Sequence, residues 1–201
     1  MNIYCVGHNY IDHIKELKNE IPKKPIFFQK NSTCISKKKN ILLNKNDEIH
    51  YELELVLTFK KKLHFCNEEE VYDFISEYSL GLDLTNRKLQ IKNRESGLPW
   101  FESKCFPNSA VLTKSKKFNY DEINNDFWLK INDIEVQRGN IANMIFKIPK
   151  LVSELSKKII LNKGDLLFTG TPSGVGILKN FDKLELGISE KKNQNFKVIY
   201  S

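Results

Sequence analysis

The segment Tyr51-Glu52-Leu53-Glu54-Leu55 places two carboxylates inside an apolar stretch that is typical of a β-strand. Side chains at positions i and i+2 of a strand point to the same face, so Glu52 and Glu54 are predicted to lie roughly 6–7 Å apart at their Cα atoms. Two like charges that face a core are costly unless a positive charge lies between them. A hard divalent cation, Mg²⁺ or Mn²⁺, prefers oxygen ligands and would supply that charge. The alternative is a half-exposed edge strand with two solvated glutamates.

A third carboxylate, Asp83, lies in the apolar run 80–85, just before a polar stretch with helical character that begins at Asn86. A carboxylate at the end of a strand suits a ligand role, although Asp is also a common helix N-cap. Together with the glutamate pair, Asp83 predicts an open three-carboxylate site. In such a site, water or substrate oxygens complete the octahedral coordination of the ion.

The length of the chain, 201 residues, and its hydrophobic fraction, 40%, predict one globular domain over residues 1–201. No apolar run approaches the roughly 20 residues that a membrane span needs, so no membrane partner is predicted. The first seven residues lack the charge pattern of a signal peptide and instead predict a strand. The cysteines have no Cys-x-x-Cys spacing, which favours buried thiols in a reducing cytoplasm over a zinc site or a disulfide framework; they are Cys5, Cys34, Cys66 and Cys105.

The formal net charge of +7 raises the question of nucleic-acid binding. Of the 32 basic residues only Arg87, Arg94 and Arg138 are arginine, and the lysines are dispersed. Nucleic-acid surfaces favour arginine for its planar fork, so no nucleic-acid partner is predicted. A positive field would still attract a small anionic substrate.

Short strand-like segments with a few helical ones predict a β-rich α+β fold. Strands are predicted at 3–7, 26–28, 50–59, 109–112, 127–131, 165–169 and 196–200. Helices are predicted at 10–19, 68–79, 86–93 and 143–157, with Pro149 kinking or dividing the last one. The polar region 37–46 is expected to be a loop or hairpin.

Two further segments carry candidate chemistry. His13 and Glu16 are three residues apart on a predicted helix, and a histidine held by a carboxylate is a common acid–base unit. The glycine-rich turn Gly170–Gly176 follows a strand and could present backbone N–H groups to an anion. The alternatives are a solvated helix face and a plain tight turn.

Two cations stand out from the other basic residues. Lys104 is surrounded by aromatic and apolar residues, which fits either a buried partner for an anion or a surface lysine with a buried stem. Arg87, just after Asp83, could bind a carboxylate through its planar fork or be an ordinary surface residue.

Taken in order, five motifs resemble the fumarylacetoacetate hydrolase family, most closely its small acylpyruvases, oxaloacetate decarboxylases or tautomerases, and hydroxyhepta-dienedioate isomerases. The resemblance covers nearly the whole chain. The motifs are His50-Tyr51-Glu52-Leu53-Glu54-Leu55, Leu82-Asp83-Leu84-Thr85-Asn86-Arg87, Gly97-Leu98-Pro99-Trp100, Ser103-Lys104 and Gly164-Asp165-Leu166-Leu167-Phe168-Thr169-Gly170-Thr171-Pro172.

The resemblance implies a mixed β-sandwich roll with a few short helices, usually assembled as a homodimer. It implies a divalent ion, Mg²⁺ or Mn²⁺, and a small anionic 2-keto acid as substrate. Hydrolysis of acylpyruvates and decarboxylation or tautomerisation of oxaloacetate would share a metal-bound enolate, and the resemblance does not choose among them. The implied roles are metal ligands for Glu52, Glu54 and Asp83; substrate binding for Arg87, Gln90 and Thr171; and catalysis for Lys104 and for the pair His13 and Glu16, on a mobile lid helix at 10–20.

Several positions depart from the family's pattern: His8 replaces Arg, Lys88 replaces Asp, Asn31 replaces Pro, and Asn140-Ile141-Ala142 replaces a turn with Thr or Ser. The predicted metal ligands and the His–Glu pair are retained. A catalytically decayed member with a binding or structural role is therefore the alternative to an active enzyme.

Overall fold

The computed structural model describes residues 1–16, 20–36 and 38–201, and β-strands dominate these ranges. The strands are β1 (Ile3–Gly7), β2 (Ile26–Lys30), β3 (Asn40–Leu43), β4 (Ile49–Tyr51), β5 (Leu53–Phe59), β6 (Ile75–Asp83), β7 (Thr85–Asn86), β8 (Ala110–Leu112), β9 (Lys116–Lys117), β10 (Phe127–Ile131), β11 (Ile134–Gly139), β12 (Leu166–Phe168), β13 (Gly176–Ile177), β14 (Lys183–Ile188) and β15 (Lys191–Tyr200). The helices are α1 (Ile11–Glu16), α2 (Arg87–Glu95), α3 (Phe101–Lys104), α4 (Tyr120–Ile123) and α5 (Ile148–Ser156). Short 3₁₀ helices lie at Ser32–Cys34, Glu68–Phe74 and Ile141–Asn143.

The strands form three sheets. The seven-stranded sheet has the order β2-β1-β12-β5-β6-β8, with β9 paired to β6. The five-stranded sheet has the order β11-β10-β14-β15-β3, and the three-stranded sheet the order β13-β4-β7. Most pairs are antiparallel, but β1 with β12 and β15 with β3 are parallel, so both larger sheets are mixed.

The main hydrophobic core lies between the two larger sheets. Leu53, Leu55 and Leu57 of β5 point into it, together with Leu129 of β10 and Leu186 of β14. The opposite face of β5 carries Val56, which packs in a second, smaller cluster. Because strand residues alternate between faces, Glu52 and Glu54 lie on the side away from the main core.

The predicted strand at 50–59 is interrupted at one residue. β4 pairs in the three-stranded sheet and β5 in the seven-stranded sheet, and Glu52 is the residue between them. This change of sheet places a carboxylate at the edge where the two sheets meet.

The helix predicted at 68–79 is wrong in its second half. Residues Glu68–Phe74 form a 3₁₀ helix, whereas Ile75–Asp83 form the longest strand of the large sheet. The helical periodicity of its apolar residues is overridden by backbone pairing, since β6 bonds to β5 on one side and to β8 and β9 on the other.

Three other elements differ from the predictions in their limits. Residues 40–43 of the expected loop form β3, which pairs with β15. Pro149 stands in the first turn of α5, where the missing N–H costs nothing, so the proline begins the helix and does not kink it. The first predicted helix is described as Ile11–Glu16, and positions 17–19 lie outside the described residues. None of the helices described is long and apolar enough to cross a membrane.

Candidate active site

The three predicted metal ligands meet at one end of the large sheet. Each of Glu52, Glu54 and Asp83 offers an oxygen, and these oxygens all lie within 4.8 Å of one another. Pairing sets the geometry: Glu54 on β5 is opposite Gly81 on β6, and the Asp83 N–H donates to the Glu52 carbonyl at 2.9 Å. All three carboxylates are buried, with residue exposures of 5%, 1% and 0%. The alternative of two solvated glutamates on an edge strand is therefore wrong.

Lys104 approaches the carboxylates from the last position of α3. Its Nζ lies 2.8 Å from Glu52 Oε2 and 2.7 Å from Asp83 Oδ2, and it donates to the Thr85 hydroxyl at 2.7 Å. The side chain is almost completely buried. The surface alternative for Lys104 is wrong, and its ammonium faces the carboxylate cluster directly.

Arg87 stands at the opposite side of Glu52, in the first turn of α2. Its guanidinium donates to Glu52 Oε1 and, at 2.6 Å, to Gln90 Oε1. Its side chain is 11% exposed, so the surface alternative is wrong for Arg87 as well. The Asn86 side chain caps α2 by accepting from the Leu89 N–H, which fixes the helix and the arginine at its start.

A second buried lysine, Lys30, was not identified from the sequence. Its Nζ lies 2.8 Å from Asp83 Oδ1, and it donates to the carbonyl of Leu84 at 3.1 Å and to that of Lys104. Lys30 therefore orients Asp83 and fixes the backbone of Lys104. Lys30 lies at the end of β2 and does not differ in sequence pattern from other lysines of this chain. The pairing of β2 with β1 is what turns its side chain inward.

The charges in this cluster are unevenly balanced. Burial raises the pKa of Glu52, but Lys104 and Arg87 outweigh burial and hold the pKa well below its usual range. Burial, then Asp83 and Glu52, raise the pKa of Glu54 well above its usual range. Burial lowers the pKa of Lys104, but Asp83 and Glu52 outweigh it and keep this ammonium charged. Glu54 is therefore the carboxyl whose ionised form is least compensated by the neighbouring cations.

The residues present fit a divalent cation. The three carboxylates supply hard oxygen donors, which Mg²⁺ and Mn²⁺ prefer. Glu54 accepts the Gly170 N–H at 2.6 Å, but it has no contact with Lys104 or Arg87 like those of Glu52. A cation bound there would offset the burial and the neighbouring charges of Asp83 and Glu52 that raise the Glu54 pKa.

A cleft opens above this cluster and gathers six of the predicted site residues. It is lined by Val6, Gly7, His8, His13, Phe28, Glu52, Arg87, Gln90, Arg94, Trp100, Lys104 and Thr171. Glu54 and Asp83 do not line the cleft, but they belong to the same carboxylate cluster as Glu52, which does. Glu16 lies at its side, where it contacts His13.

The predicted acid–base pair is formed on α1. His13 Nδ1 lies 3.2 Å from Glu16 Oε2, and the histidine is buried whereas Glu16 is about one-third exposed. Both Glu16 oxygens also accept the Gly174 N–H, at 3.1 and 3.3 Å. The helix is thus held against the glycine-rich turn, which supplies its N–H group to a side chain of the protein itself.

Gln137 is a second residue that no sequence pattern singles out. Its Oε1 accepts the Leu53 N–H at 2.9 Å, and its Nε2 donates to Thr171 Oγ1 and to the Pro172 carbonyl, each at 2.9 Å. The backbone N–H and carbonyl fix which way the amide points. Thr171 Oγ1 accepts from Gln137, and its own proton meets the Pro172 carbonyl only at 3.4 Å, so a substrate oxygen in the cleft could accept that proton instead.

The departures from the family's pattern fall in different places. His8 lines the cleft with φ of 56° and its ring 6.0 Å from that of Trp100. Burial, then the neighbouring His13 and Arg94, lower the pKa of His8 to about 4, so its imidazole is neutral near pH 7. Lys88 is exposed and pairs with Glu48, away from the cleft.

The other two departures are structural. Asn31 caps the 3₁₀ helix Ser32–Cys34 through its side chain, and Asn140 caps the 3₁₀ helix Ile141–Asn143. Both helices lie outside the residues that line the cleft.

Comparison with known proteins identifies the family. The family model for the fumarylacetoacetate (FAA) hydrolase C-terminal region matches residues 2–198. The chain belongs to the fumarylacetoacetate hydrolase family. The oxaloacetate tautomerase FAHD1, mitochondrial, of Bos taurus is 37% identical over 203 residues, which cover 98% of this chain and 91% of the relative.

Solved structures of family members have the same fold. A fumarylacetoacetate hydrolase family protein of Yersinia pestis superposes with a TM-score of 0.94 at 32% identity, over 98% of this chain and 93% of the other. The fumarylpyruvate hydrolase of Pseudomonas aeruginosa, solved with Mn²⁺ and pyruvate, gives a TM-score of 0.92 at 28% identity, over 100% and 90% of the two chains. The predicted family, the β-rich α+β fold and the prediction of an enzyme are confirmed.

Proposed function

We propose that this protein is a divalent-metal-dependent enzyme that tautomerises oxaloacetate or a closely similar 2-keto diacid. The observation that carries the proposal is the buried cluster of Glu52, Glu54 and Asp83 beneath a cleft lined by Lys104 and Arg87. The names of the mammalian relatives, oxaloacetate tautomerases, support this substrate.

We propose Glu52, Glu54 and Asp83 as the ligands of Mg²⁺ or Mn²⁺. An ion held there would polarise a keto oxygen and stabilise the negative charge that develops on it. The family member solved with Mn²⁺ and pyruvate supports a divalent ion and a 2-keto acid ligand in this fold.

The residues of the cleft would bind and orient the diacid. The Arg87 fork and the Thr171 hydroxyl are placed to bind carboxylate oxygens, and Gln90 holds the guanidinium in position. Lys104 remains charged and would donate to the keto oxygen as negative charge develops there.

His13 would move the proton. With Nδ1 facing Glu16, the tautomer that donates from Nδ1 leaves Nε2 as the base. In tautomerisation, Nε2 would take a proton from C3 of the keto form while the enolate oxygen would gain one from water, and the reverse reaction would undo both transfers. In the second candidate reaction, carbon–carbon hydrolysis of an acylpyruvate, the same pair would take a proton from water.

A panel of substrates tests the proposal. Metal-stripped protein, resupplied with Mg²⁺ or Mn²⁺, is assayed for oxaloacetate tautomerisation, oxaloacetate decarboxylation, and hydrolysis of acetylpyruvate and fumarylpyruvate. We expect tautomerisation to be fastest and to be lost in excess EDTA. Full activity in EDTA contradicts the metal role, and absence of turnover on every substrate favours the decayed alternative.

We propose that the enzyme is a cytoplasmic homodimer whose partner is its small anionic substrate, without nucleic-acid or membrane partners. Light scattering on the purified full chain tests the dimer, and a monomer mass contradicts it. Localisation of a tagged chain tests the compartment, since several relatives are named mitochondrial. Absence of a gel shift with DNA or RNA at low salt is expected.

A further inference from the structure

Two cysteines from distant parts of the chain meet directly behind the active-site lysine. Cys34 ends the 3₁₀ helix Ser32–Cys34, and Cys105 immediately follows α3. Their Sγ atoms are 3.3 Å apart although the residues are 71 positions apart in sequence. A disulfide needs about 2.05 Å, so the two sulfur atoms would have to approach by only about 1.2 Å.

The two thiols differ in access to solvent. Cys34 is buried at 2% exposure, whereas Cys105 is half-buried. Cys105 Sγ also accepts the Asn31 N–H at 3.3 Å, a contact that holds this sulfur in position beside Cys34. Burial raises the pKa of the Cys34 thiol. Cys105 is therefore the sulfur that an oxidant in solution reaches first, and Cys34 is placed to react second.

Movement at Cys105 has a direct consequence for Lys104, its neighbour in the chain. The Lys104 carbonyl accepts from the Lys30 ammonium and from the Ser109 hydroxyl, so the backbone at this point is held on one side. The Lys104 ammonium in turn contacts Glu52 and Asp83. A pull on Cys105 by Cys34 would act on Lys104, because a peptide bond joins Lys104 to Cys105.

We propose that Cys34 and Cys105 are a modification site: a dithiol that low-molecular-weight disulfides oxidise to an intramolecular disulfide, which moves Lys104 and slows turnover. The formation of the disulfide does not depend on the proposed function. The effect of the disulfide on turnover does rest on the proposed function.

The chemistry balances in two steps. The Cys105 thiolate attacks one sulfur of a small disulfide such as oxidised glutathione, which forms a mixed disulfide and releases one small thiol. Cys34 then loses its proton, attacks the Cys105 sulfur and releases the second small thiol. Two protein thiols are oxidised and one small disulfide is reduced to two thiols, so a reducing pool of the same thiol reverses the reaction.

Peptide mapping tests the site itself. Reduced full-length protein is incubated with oxidised glutathione, free thiols are blocked with iodoacetamide, and the digest is analysed by mass spectrometry. We expect one linked pair of peptides containing Cys34 and Cys105, with Cys5 and Cys66 alkylated. Cys66→Ser should retain the link, whereas Cys105→Ser and Cys34→Ala should each abolish it.

Three results of the map would overturn the proposal: no link in the unmodified protein, a glutathione adduct that does not resolve, or a link to a different cysteine. The competing link would be between Cys5 and Cys34, since both belong to the smaller hydrophobic cluster. The map needs no turnover, so its outcome is separate from the success of the proposed reaction.

The effect on Lys104 is tested on the same samples. We expect kcat for oxaloacetate to fall at least about 10-fold on oxidation, because a displacement of about 1 Å in an active site has effects of this size or more. Dithiothreitol should restore it, and Cys105→Ser should be insensitive to the oxidant. If the reduced protein shows no turnover, Mn²⁺ titration of both redox forms decides: a change in affinity supports the displacement of Lys104, and equal affinities overturn it, as would an unchanged kcat.

Discussion

Glu52 and Glu54 are the same residue type two positions apart, yet their environments give them opposite electrostatic character. Glu52 is bonded to Lys104 and Arg87, and these cations hold its pKa low. Glu54 lies deeper, and burial with the charge of Asp83 raises its pKa. The first glutamate stabilises the metal-free protein when ionised, whereas the second is ionised at a cost that a bound cation would remove.

The first prediction concerns Glu54→Gln in EDTA. The folded-state pKa of Glu54 lies above its unfolded value, so its effect on stability becomes unfavourable as the pH rises toward and through the folded pKa. We expect the variant to melt about 2–4 °C higher than the unmodified protein at pH 8, which is about 1 kcal/mol for a chain of this size, with a smaller difference at pH 5. Thermal unfolding followed by circular dichroism measures both.

The matched control is Glu52→Gln. The folded-state pKa of Glu52 is below its unfolded value, so its stabilising effect is present above the unfolded pKa and is lost as the pH falls toward the folded one. We expect this variant to be less stable than the unmodified protein at pH 8 by about 3 kcal/mol, because two buried cations lose a partner. Equal shifts of the two variants in the same direction would refute this division of roles.

The sequence predicts the carboxylates and not their supporting residues. Glu52 and Glu54 are recognisable because the strand period of two places them on one face whatever the rest of the chain does. Lys30 and Gln137 become functional only through contacts with residues 34–84 positions away, which no local pattern encodes.

At the scale of elements, Gln137 of β11 connects the strand of the carboxylates to the turn that carries Thr171. We predict that Gln137→Glu raises KM for oxaloacetate about 10-fold, roughly the free energy of one hydrogen bond, with a smaller change in kcat. The reason is directional: a carboxylate cannot donate to Thr171, so the hydroxyl would donate to it instead of to substrate. Steady-state kinetics on the metal-loaded protein measures the changes in KM and in kcat separately.

Thr171→Val provides the control for this prediction. It should raise KM by a similar factor, and Gln137→Glu should add little in that background, because both changes remove the same donated proton. Fully additive effects on KM would show that Gln137 acts by another route.

The contact between α1 and the glycine-rich turn yields a third prediction. Gly174 has φ of +96°, and a Cβ there would lie 2.2 Å from the Val136 carbonyl oxygen, so Gly174→Ala must shift the N–H that holds Glu16. We expect kcat to fall about 10-fold, since the support of a catalytic pair is lost. Gly164→Ala is the matched control, because Gly164 also has positive φ, +83°, but a Cβ there meets nothing within 4 Å.

Both glycine variants incur a left-handed backbone penalty of about 1–2 kcal/mol, seen as a lower melting temperature, and Gly174→Ala adds the cost of its close Cβ contact. Only Gly174→Ala is expected to have a lower kcat as well. If Gly164→Ala lowers kcat equally, the loss follows from backbone strain in general and not from the position of Glu16.

Element prediction from sequence succeeded where one face of a segment is apolar and failed where two patterns overlap. The apolar residues of 68–79 recur with a helical period. Ile75–Asp83 nevertheless form a strand, because they hydrogen-bond to neighbouring strands on both sides. β3 lies within the polar region 37–46, which favours a loop. Its partner strand, β15, is at the other end of the chain, so no local pattern predicts the pairing.

At the scale of the whole molecule, the site collects residues from His13 to Thr171 and so exists only in the complete fold. Binding of an ion to the folded state alone would raise the melting temperature in proportion to the logarithm of its concentration. The same assembly explains why five motifs spread along the chain identify the family more securely than any one of them.

The most direct test is calorimetric titration of Mn²⁺ into the reduced, metal-stripped protein. We predict one ion bound per chain, with affinity reduced at least about 100-fold in Glu54→Gln and in Asp83→Asn, since each removes one charged ligand of three. Absence of Mn²⁺ and Mg²⁺ binding to the unmodified protein, or undiminished binding to both variants, would contradict the assignment of the three carboxylates as the metal site.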